Sequence, residues 1–308
     1  MAEMQVTIGN TTLRNPIVLA AGTCGVMGEI KDAINLKSIG AITTKSITQE
    51  PRIGNNPVRI ATIDGGMLNA IGLANEGIES FIKYQAPKVT TLNTTVIGSI
   101  AGDSIDAYVA VANAMNAVDG IELVEVNVSC PNTSDGLEFG GCPKRLATLL
   151  TEIKQVLTTK GMIVKLSAAP GDIRPHAESA INAGADALTL INTIPSLAID
   201  IEMKRTKISR GVGGISGAMI HPVAVRIVHE IYQDVAKDAN VPIIGTGGTM
   251  RWEDAAEFIL AGASAVGIGT ASFVNPSIAP KIADKLAVWV KRQGCQSISE
   301  LIGSFTLQ

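Results

Sequence analysis

The sequence predicts an α/β fold, and a closed (β/α)8 barrel over residues 1–308 fits it best. Three observations indicate this fold. Short runs rich in Val, Ile and Ala recur eight times, each run is followed by polar residues or glycine, and amphipathic helical patterns lie between the runs. Continuous apolar strands that alternate with helices are typical of a parallel sheet covered by helices. A doubly wound open sheet is the alternative.

The predicted strands follow one another along the whole chain, as PIVLAAG, IGAITTKS, TVIGSIAG, IELVEVNVSC, MIVKLSA, ALTLINT, VPIIGTGG and AVGIGT. Helix candidates lie between them, at Ile105–Val118, Arg145–Leu157, around Ile181, Pro222–Ala236 and Glu253–Leu260. Eight strand–helix units match the TIM barrel. Because no linker divides the chain, we expect a single domain.

Two connections are longer than a strand–helix turn requires. Ile47–Gly77 contains GGMLNAIGLANEG, and Pro195–Ala218 contains GVGGISGA. Loops of this length inside a compact domain are usually functional or disordered. We expect them at the C-terminal face of the barrel.

The composition limits the classes of function. A net charge of -3 argues against a nucleic-acid partner. No signal pattern opens the chain and no apolar stretch approaches the roughly 18 residues that span a membrane, so a cytoplasmic protein with no membrane partner is expected. The cysteines (Cys24, Cys130, Cys142 and Cys295) form no C-x-x-C pair, so we expect no metal site built from this chain alone.

Chemistry in a barrel of this kind lies at the C-terminal ends of the strands. The residues at those ends are Ala21-Gly22, Lys45-Ser46, Ser99, Asn127 to Cys130, Lys165, Asn192-Thr193, Gly247-Gly248 and Gly269-Thr270. The glycines of GTGG and GIGT follow the last two strands, where barrels often bind phosphate, although glycine also makes simple tight turns. No G-x-G-x-x-G is present, which argues against a nucleotide held in the Rossmann manner.

Lysine and asparagine side chains also recur at or near the C-terminal ends of the predicted strands. Lys45 and Lys165 either extend their amines into water or meet an anion inside the barrel mouth. The amides of Asn69, Asn127, Asn132 and Asn192 offer donors and acceptors together. As a set they suit a ring with alternating donors and acceptors, such as a pyrimidine or a flavin.

Cys130 lies where a strand stops, in VEVNVSCPNTSDG, before Pro131. An arbitrary cysteine is more often a small buried hydrophobic residue. At this position a thiol is a candidate general base once it is deprotonated. Gly136, Gly140 and Gly141 could hinge the following segment as a lid over the site.

The motifs NVSCPNT, GGMLNAIGLAN, VKLSA, INT, GGISGAMIHPVAVR, IIGTGGT and GASAVGIGTA resemble the flavin-dependent dihydroorotate dehydrogenases, in order, from about Val6 to Ile302. GMLNAIGLAN is similar to the class I, NAD-linked (B-type) catalytic subunits. The quinone-using class carries serine at the base position and has an N-terminal membrane region. SCPN alone is shared with dihydropyrimidine dehydrogenases.

The resemblance implies oxidation of dihydroorotate to orotate in pyrimidine biosynthesis, with FMN as cofactor and Cys130 as base. It implies substrate contacts from Lys45, Asn69, Ala70, Ile71, Gly72, Leu73, Asn127, Asn132, Asn192 and Thr193. It implies FMN contacts from Ala21, Gly22, Lys45, Ser46, Ser99, Asn127, Lys165, Ile191, Gly217, Gly247, Gly248, Gly269 and Thr270. Lys45 would lie between substrate and flavin, and Lys165 near the flavin N1.

The B-type resemblance also implies partners: a homodimer of this chain within a heterotetramer, whose second subunit carries FAD and a [2Fe–2S] cluster and passes electrons to NAD. Ala21 stands where many relatives have Ser. Ser99 stands where B-type relatives often have Asn, and it resembles the fumarate-using subclass. Cys142 stands where an acid is usual.

Other functions remain open on the residues alone. A flavin enzyme could act on a dihydropyrimidine base, or on dihydrouridine in RNA, for which the net charge is unfavourable. A phosphate-binding lyase or isomerase without flavin would be colourless. A non-catalytic scaffold would leave the amides and Cys130 without a purpose.

Overall fold

The computed structural model describes residues 2–129 and 139–307. Sixteen strands form within these residues. In chain order they are β1 (Val6–Ile8), β2 (Thr11–Leu13), β3 (Ile17–Leu19), β4 (Ala41–Thr43), β5 (Ile60–Ile63), β6 (Gly66–Asn69), β7 (Thr95–Ile100), β8 (Ile121–Asn127), β9 (Gly161–Leu166), β10 (Ala187–Leu190), β11 (Ile194–Leu197), β12 (Ile199–Asp200), β13 (Arg205–Thr206), β14 (Val212–Ser216), β15 (Ile243–Thr246) and β16 (Ala265–Ile268).

Eight α-helices lie within the described residues. They are α1 (Gly77–Tyr84), α2 (Ile105–Asn116), α3 (Pro143–Val156), α4 (Arg174–Asn182), α5 (His221–Ile231), α6 (Trp252–Ala261), α7 (Ala271–Val274) and α8 (Ile278–Arg292). None of the helices in the described part of the chain is long and apolar enough to cross a membrane.

Eight of the strands form a closed parallel barrel in the order β3-β4-β7-β8-β9-β10-β15-β16. The last strand returns to the first, with Val266 opposite Ile17 and Ile268 opposite Leu19. Each of the eight predicted apolar runs contains one of these strands. The predicted barrel is therefore confirmed, and the open sheet is excluded because the edges are joined.

The burial of the barrel strands explains why the sequence predicts them. β3, β4, β9, β10 and β16 are buried along their full lengths. Strands enclosed between the barrel interior and the helices need apolar residues on both faces, which produces continuous runs rather than alternation.

The five predicted helices correspond to α2 to α6. The ends of α2, α3 and α6 differ from the predicted ends by at most two residues, and the helix predicted around Ile181 is α4. The C-terminal part of the predicted Pro222–Ala236 helix changes to a π-helical segment, Tyr232–Ala236. Helices α1, α7 and α8 were not predicted. In α8 the buried Ile282, Leu286, Trp289 and Val290 recur at helical spacing, so a signal was present.

The two long connections contain regular secondary structure of their own. They supply a four-stranded antiparallel sheet in the order β11-β14-β6-β5. Asp64 and Gly65 separate β5 from β6, and Gly65 has a φ of 76°. An Asp-Gly pair between short strands is a strong hairpin signal, so this half of the sheet was readable from the sequence.

Gly66 provides a test of the antiparallel sheet. A Cβ at Gly66 would lie 2.1 Å from the Ser216 carbonyl oxygen on the neighbouring strand. Gly66→Ala is therefore expected to lower the free energy of unfolding by about 1–3 kcal/mol and to speed amide hydrogen exchange in residues 60–69 and 212–216. Gly269→Ala in the cofactor-free protein is the control, because φ at Gly269 is not positive and a Cβ there would meet no atom closer than 3.9 Å. Unchanged exchange in Gly66→Ala would contradict the pairing.

Candidate active site

A cavity of about 1050 Å³ opens at the C-terminal ends of the barrel strands. Its walls come from residues that end or follow β3, β4, β8, β9, β10, β15 and β16, and from the antiparallel sheet. The two long connections therefore lie where they were expected, beside the mouth of the barrel.

Most of the predicted site residues meet in this cavity. Those that line it are Ala21, Gly22, Lys45, Ser46, Asn69, Ala70, Ile71, Gly72, Leu73, Asn127, Lys165, Ile191, Asn192, Thr193, Gly247, Gly248, Gly269 and Thr270. Cys130 and Asn132 lie outside the described residues.

Ser99 and Gly217 do not line the cavity. Ser99 is fully buried, and its Oγ lies 2.9 Å from Ser46 Oγ, so it contacts a cavity residue from behind. The carbonyl oxygen of Gly217 packs against Gly248, where an added Cβ would come within 2.7 Å of it. Both residues contact lining residues from behind, and their direct contact with a cofactor stays a prediction.

The described asparagines are fixed by hydrogen bonds. Asn192 donates from Nδ2 to Asn127 Oδ1 at 3.1 Å. Tyr108, which is fully buried, donates to the Asn127 backbone carbonyl at 2.7 Å. Asn69 donates to the Gly214 carbonyl at 3.2 Å and so ties the cavity wall to the antiparallel sheet. These amides reach one cavity from separate strands in defined orientations, as binding to a polar ring requires.

A buried ion pair joins Lys165, in the cavity wall, to Glu125 behind it. Lys165 and Glu125 are only 7% and 4% exposed, and Lys165 Nζ lies 3.9 Å from Glu125 Oε1. Thr189 donates to Glu125 Oε2 at 2.9 Å. Two unit charges at this separation attract by about 4 kcal/mol at an effective dielectric constant of about 20, before the loss of hydration is counted.

Sequence reasoning missed Glu125 and Thr189. Both lie within apolar strands, and neither is at a strand end, where candidate residues were sought. A charged residue inside a run that is otherwise buried on both faces was the available signal. The cavity walls also include the unpredicted Ser129, Ser167 and Ser216.

The residues that follow β15 and β16 fit a phosphate group. Thr246 and Thr249 line the cavity, and their buried hydroxyl oxygens have no hydrogen-bond partner among the described residues. Gly248 has a φ of 71° and Gly269 faces open space, since a Cβ there would meet no atom closer than 3.9 Å. Backbone N–H groups and free hydroxyls around such a space are suitable donors to phosphate oxygens. With Lys45 and Lys165 beside the three amides, the cavity fits FMN.

The described cysteines lie away from these groups. Cys24 is buried, and its burial raises the pKa of the thiol to about 12. Cys142 precedes α3, where the backbone N–H groups of Arg145 and Lys144 hold the pKa of its thiol below the usual range. Neither thiol lines the cavity.

Lys45 gives a test of the electrostatics. Its burial, together with the positive charge of Lys165, lowers the pKa of Lys45 from the ordinary 10.5. The protonated amine therefore destabilises the fold at neutral pH, and this penalty disappears as the pH rises from the folded-state value towards 10.5. Lys45→Met is expected to stabilise the cofactor-free protein at pH 7, by an amount that shrinks at higher pH.

Urea unfolding at a series of pH values measures this effect. Lys31→Met, at an exposed lysine, is the matched control and should show no such trend. A gain in Lys45→Met that does not change with pH would contradict the assigned cause.

Comparisons with known proteins agree with this geometry. The dihydroorotate dehydrogenase family model matches residues 3–289. The protein named dihydroorotate dehydrogenase B (NAD(+)), catalytic subunit, from Bacteroides fragilis is 42% identical over 305 residues, which cover 99% of both chains. The protein of the same name from Trichlorobacter lovleyi is 44% identical over 302 residues, 98% of both chains.

A solved structure supports the fold. The crystal structure of DHODH in complex with ferulenol from Eimeria tenella matches with a TM-score of 0.80 at 22% identity, over 98% of this chain and 88% of that one. Nearly full-length identity above 40% and the family match, on a barrel with this cavity, lead to one conclusion: the chain belongs to the dihydroorotate dehydrogenase family.

Proposed function

We propose that the chain is the catalytic subunit of an NAD-linked dihydroorotate dehydrogenase and oxidises dihydroorotate to orotate in pyrimidine biosynthesis. One observation carries the proposal. Two lysines and three fixed asparagines converge on one cavity in a chain 42–44% identical, over nearly its full length, to proteins named as that subunit.

The oxidation removes a proton from C5 and a hydride from C6 of dihydroorotate. FMN, when bound, supplies the hydride acceptor. Cys130 takes the C5 proton, and Asn69, Asn127, Asn132 and Asn192 orient the pyrimidine ring through its alternating donors and acceptors. Ala70, Ile71, Gly72, Leu73 and Thr193 complete the substrate pocket.

The cofactor is held by groups whose charges and donors suit it. Its phosphate is bound by Gly247, Gly248, Gly269 and Thr270, helped by the hydroxyls of Thr246 and Thr249, which have no hydrogen-bond partner in the described part of the chain. Lys165 lines the cavity, where a lysine side chain favours negative charge on a bound ring. Lys45 lies at the cavity wall, where an anionic substrate or cofactor offsets the burial of its amine.

The electrons leave through a partner. The relatives are named catalytic subunits, which implies a second subunit. We propose that this partner carries FAD and a [2Fe–2S] cluster, that two copies of each chain form a heterotetramer, and that the assembly works in the cytoplasm. The single-domain organisation of residues 1–308 also remains a proposal.

Cys130 is tested by substitution. Proton abstraction by a positioned base contributes about 10²–10⁴-fold to a rate, so Cys130→Ala should slow flavin reduction by dihydroorotate by that factor while FMN stays bound. Cys130→Ser should also be much slower near neutral pH, because a hydroxyl is a weaker base. Stopped-flow absorbance follows the reduction. In the wild type the rate should rise with pH as the thiolate fraction grows.

Cys295→Ala, at a cysteine outside the cavity, is the matched control and should reduce its flavin at the wild-type rate. A wild-type rate of flavin reduction in Cys130→Ala would refute the assignment of Cys130 as the general base. A colourless wild-type protein that takes up no added FMN would refute the whole proposal.

The acceptor is tested with the isolated chain. We expect dihydroorotate-dependent turnover with an artificial dye and little turnover with NAD until the partner subunit is added. Ser99, which resembles the fumarate-using subclass, makes fumarate the competing acceptor. Efficient fumarate reduction by the chain alone would assign it to that subclass, and rapid NAD reduction without a partner would contradict both assignments.

A further inference from the structure

We propose that Glu125 is a positioning residue that balances the charge of Lys165 inside the barrel, and that it thereby keeps the reduced form of FMN from being bound too tightly. The inference rests on the proposed function, because it concerns FMN in this cavity. Glu125 does not line the cavity and acts through Lys165.

The strand register places the interacting groups side by side. On β8 and β9, Asn127 is opposite Lys165, and on β9 and β10 Lys165 is opposite Thr189. Residues two apart on a strand share a face. Glu125 therefore lies on the same face of β8 as Asn127, two residues further from the C-terminal end of the strand. Glu125 therefore lies deeper in the barrel than the cavity-lining Asn127.

The two carboxylate oxygens of Glu125 differ in their surroundings. Oε2 accepts the hydrogen bond from Thr189. Oε1 is buried without a hydrogen-bond partner among the described residues, and the nearby cation is Lys165 Nζ at 3.9 Å. This distance is too long for a direct hydrogen bond and short enough for strong Coulomb attraction. Thr189 thus fixes the carboxylate, whose contact with Lys165 is electrostatic.

The effect of Glu125 follows from the net charge of the side chains near the cavity. Lys45 and Lys165 alone would supply two positive charges, and because Lys165 is buried and Lys45 half-buried, their effect on a bound ring is stronger than in water. Two electrons and one proton convert oxidised FMN to its anionic reduced form, which positive charge stabilises. The Glu125 carboxylate offsets one of the two charges. It therefore lowers the flavin midpoint potential and favours onward transfer of electrons to a low-potential acceptor such as NAD.

Glu125→Gln in the FMN-loaded protein tests the inference, since the amide keeps the shape and can still accept from Thr189. The affinity for reduced FMN relative to oxidised FMN is expected to rise about tenfold, which corresponds to a two-electron midpoint potential about 30 mV more positive. Spectroscopic titration against a redox dye measures the potential. Glu122→Gln, which removes an exposed carboxylate of the same strand, should leave the potential unchanged.

Thr189→Val separates charge from hydrogen bonding, because it keeps both charges and removes only the hydroxyl. It should shift the potential less than Glu125→Gln does. If Glu125→Gln does not fold, Glu125→Asp, which retracts the carboxylate, should give a smaller shift in the same direction.

A wild-type potential in both Glu125 variants would overturn the inference and leave the proposed function intact, as would a shift in Thr189→Val equal to that of Glu125→Gln. A wild-type protein that binds no FMN would overturn both proposals together.

Discussion

Closure of the barrel between β16 and β3 is the constraint on which the rest of the structure depends. Because all eight strands run parallel and the last pairs with the first, their C-terminal ends form one continuous rim. Residues from Ala21 to Thr270 therefore reach a single cavity, although they are far apart in the chain. An open sheet of the same strands would spread these side chains along an edge and could not enclose a ring on all sides.

The barrel interior contains buried charged and polar residues as well as apolar ones. Most of its strands are apolar, yet Glu125, Lys165 and Thr189 occupy buried positions that apolar residues could fill. Replacing a buried ion pair with well-packed apolar residues is often neutral or stabilising, so fold stability alone does not account for this cluster. Its position beside the cavity is what the proposed electrostatic control of a bound cofactor requires.

The sequence reveals the barrel well because buried parallel strands require long apolar runs. It also reveals most of the cavity, since the rule that chemistry lies at strand ends locates Lys45, Asn127 and Gly248 without knowledge of distances. The antiparallel sheet was not predicted because its strands are short and half-exposed, so their apolar pattern is weak, and only the Asp64-Gly65 turn marks the β5–β6 hairpin. Glu125 was not predicted because its proposed role depends on its burial and on its contacts with Lys165 and Thr189 in three dimensions, and not on its position along the strand. The proposed roles of Cys130 and Asn132 still rest on their motif.

The pairing of β6 with β14 has a consequence for synthesis of the chain. Met67 to Asn69 pair with β5 along one edge, but their other edge finds its partner only when Gly214 to Ser216 have been made, and β3 waits still longer for β16. A nascent chain that has left the ribosome up to β10 thus carries two unpaired barrel edges and a β5–β6 hairpin whose β6 edge is unpaired. Such edges can pair with other chains, and contacts so distant in sequence slow folding. Newly made copies are therefore most exposed to aggregation just before their last strands emerge, when chaperones would matter most.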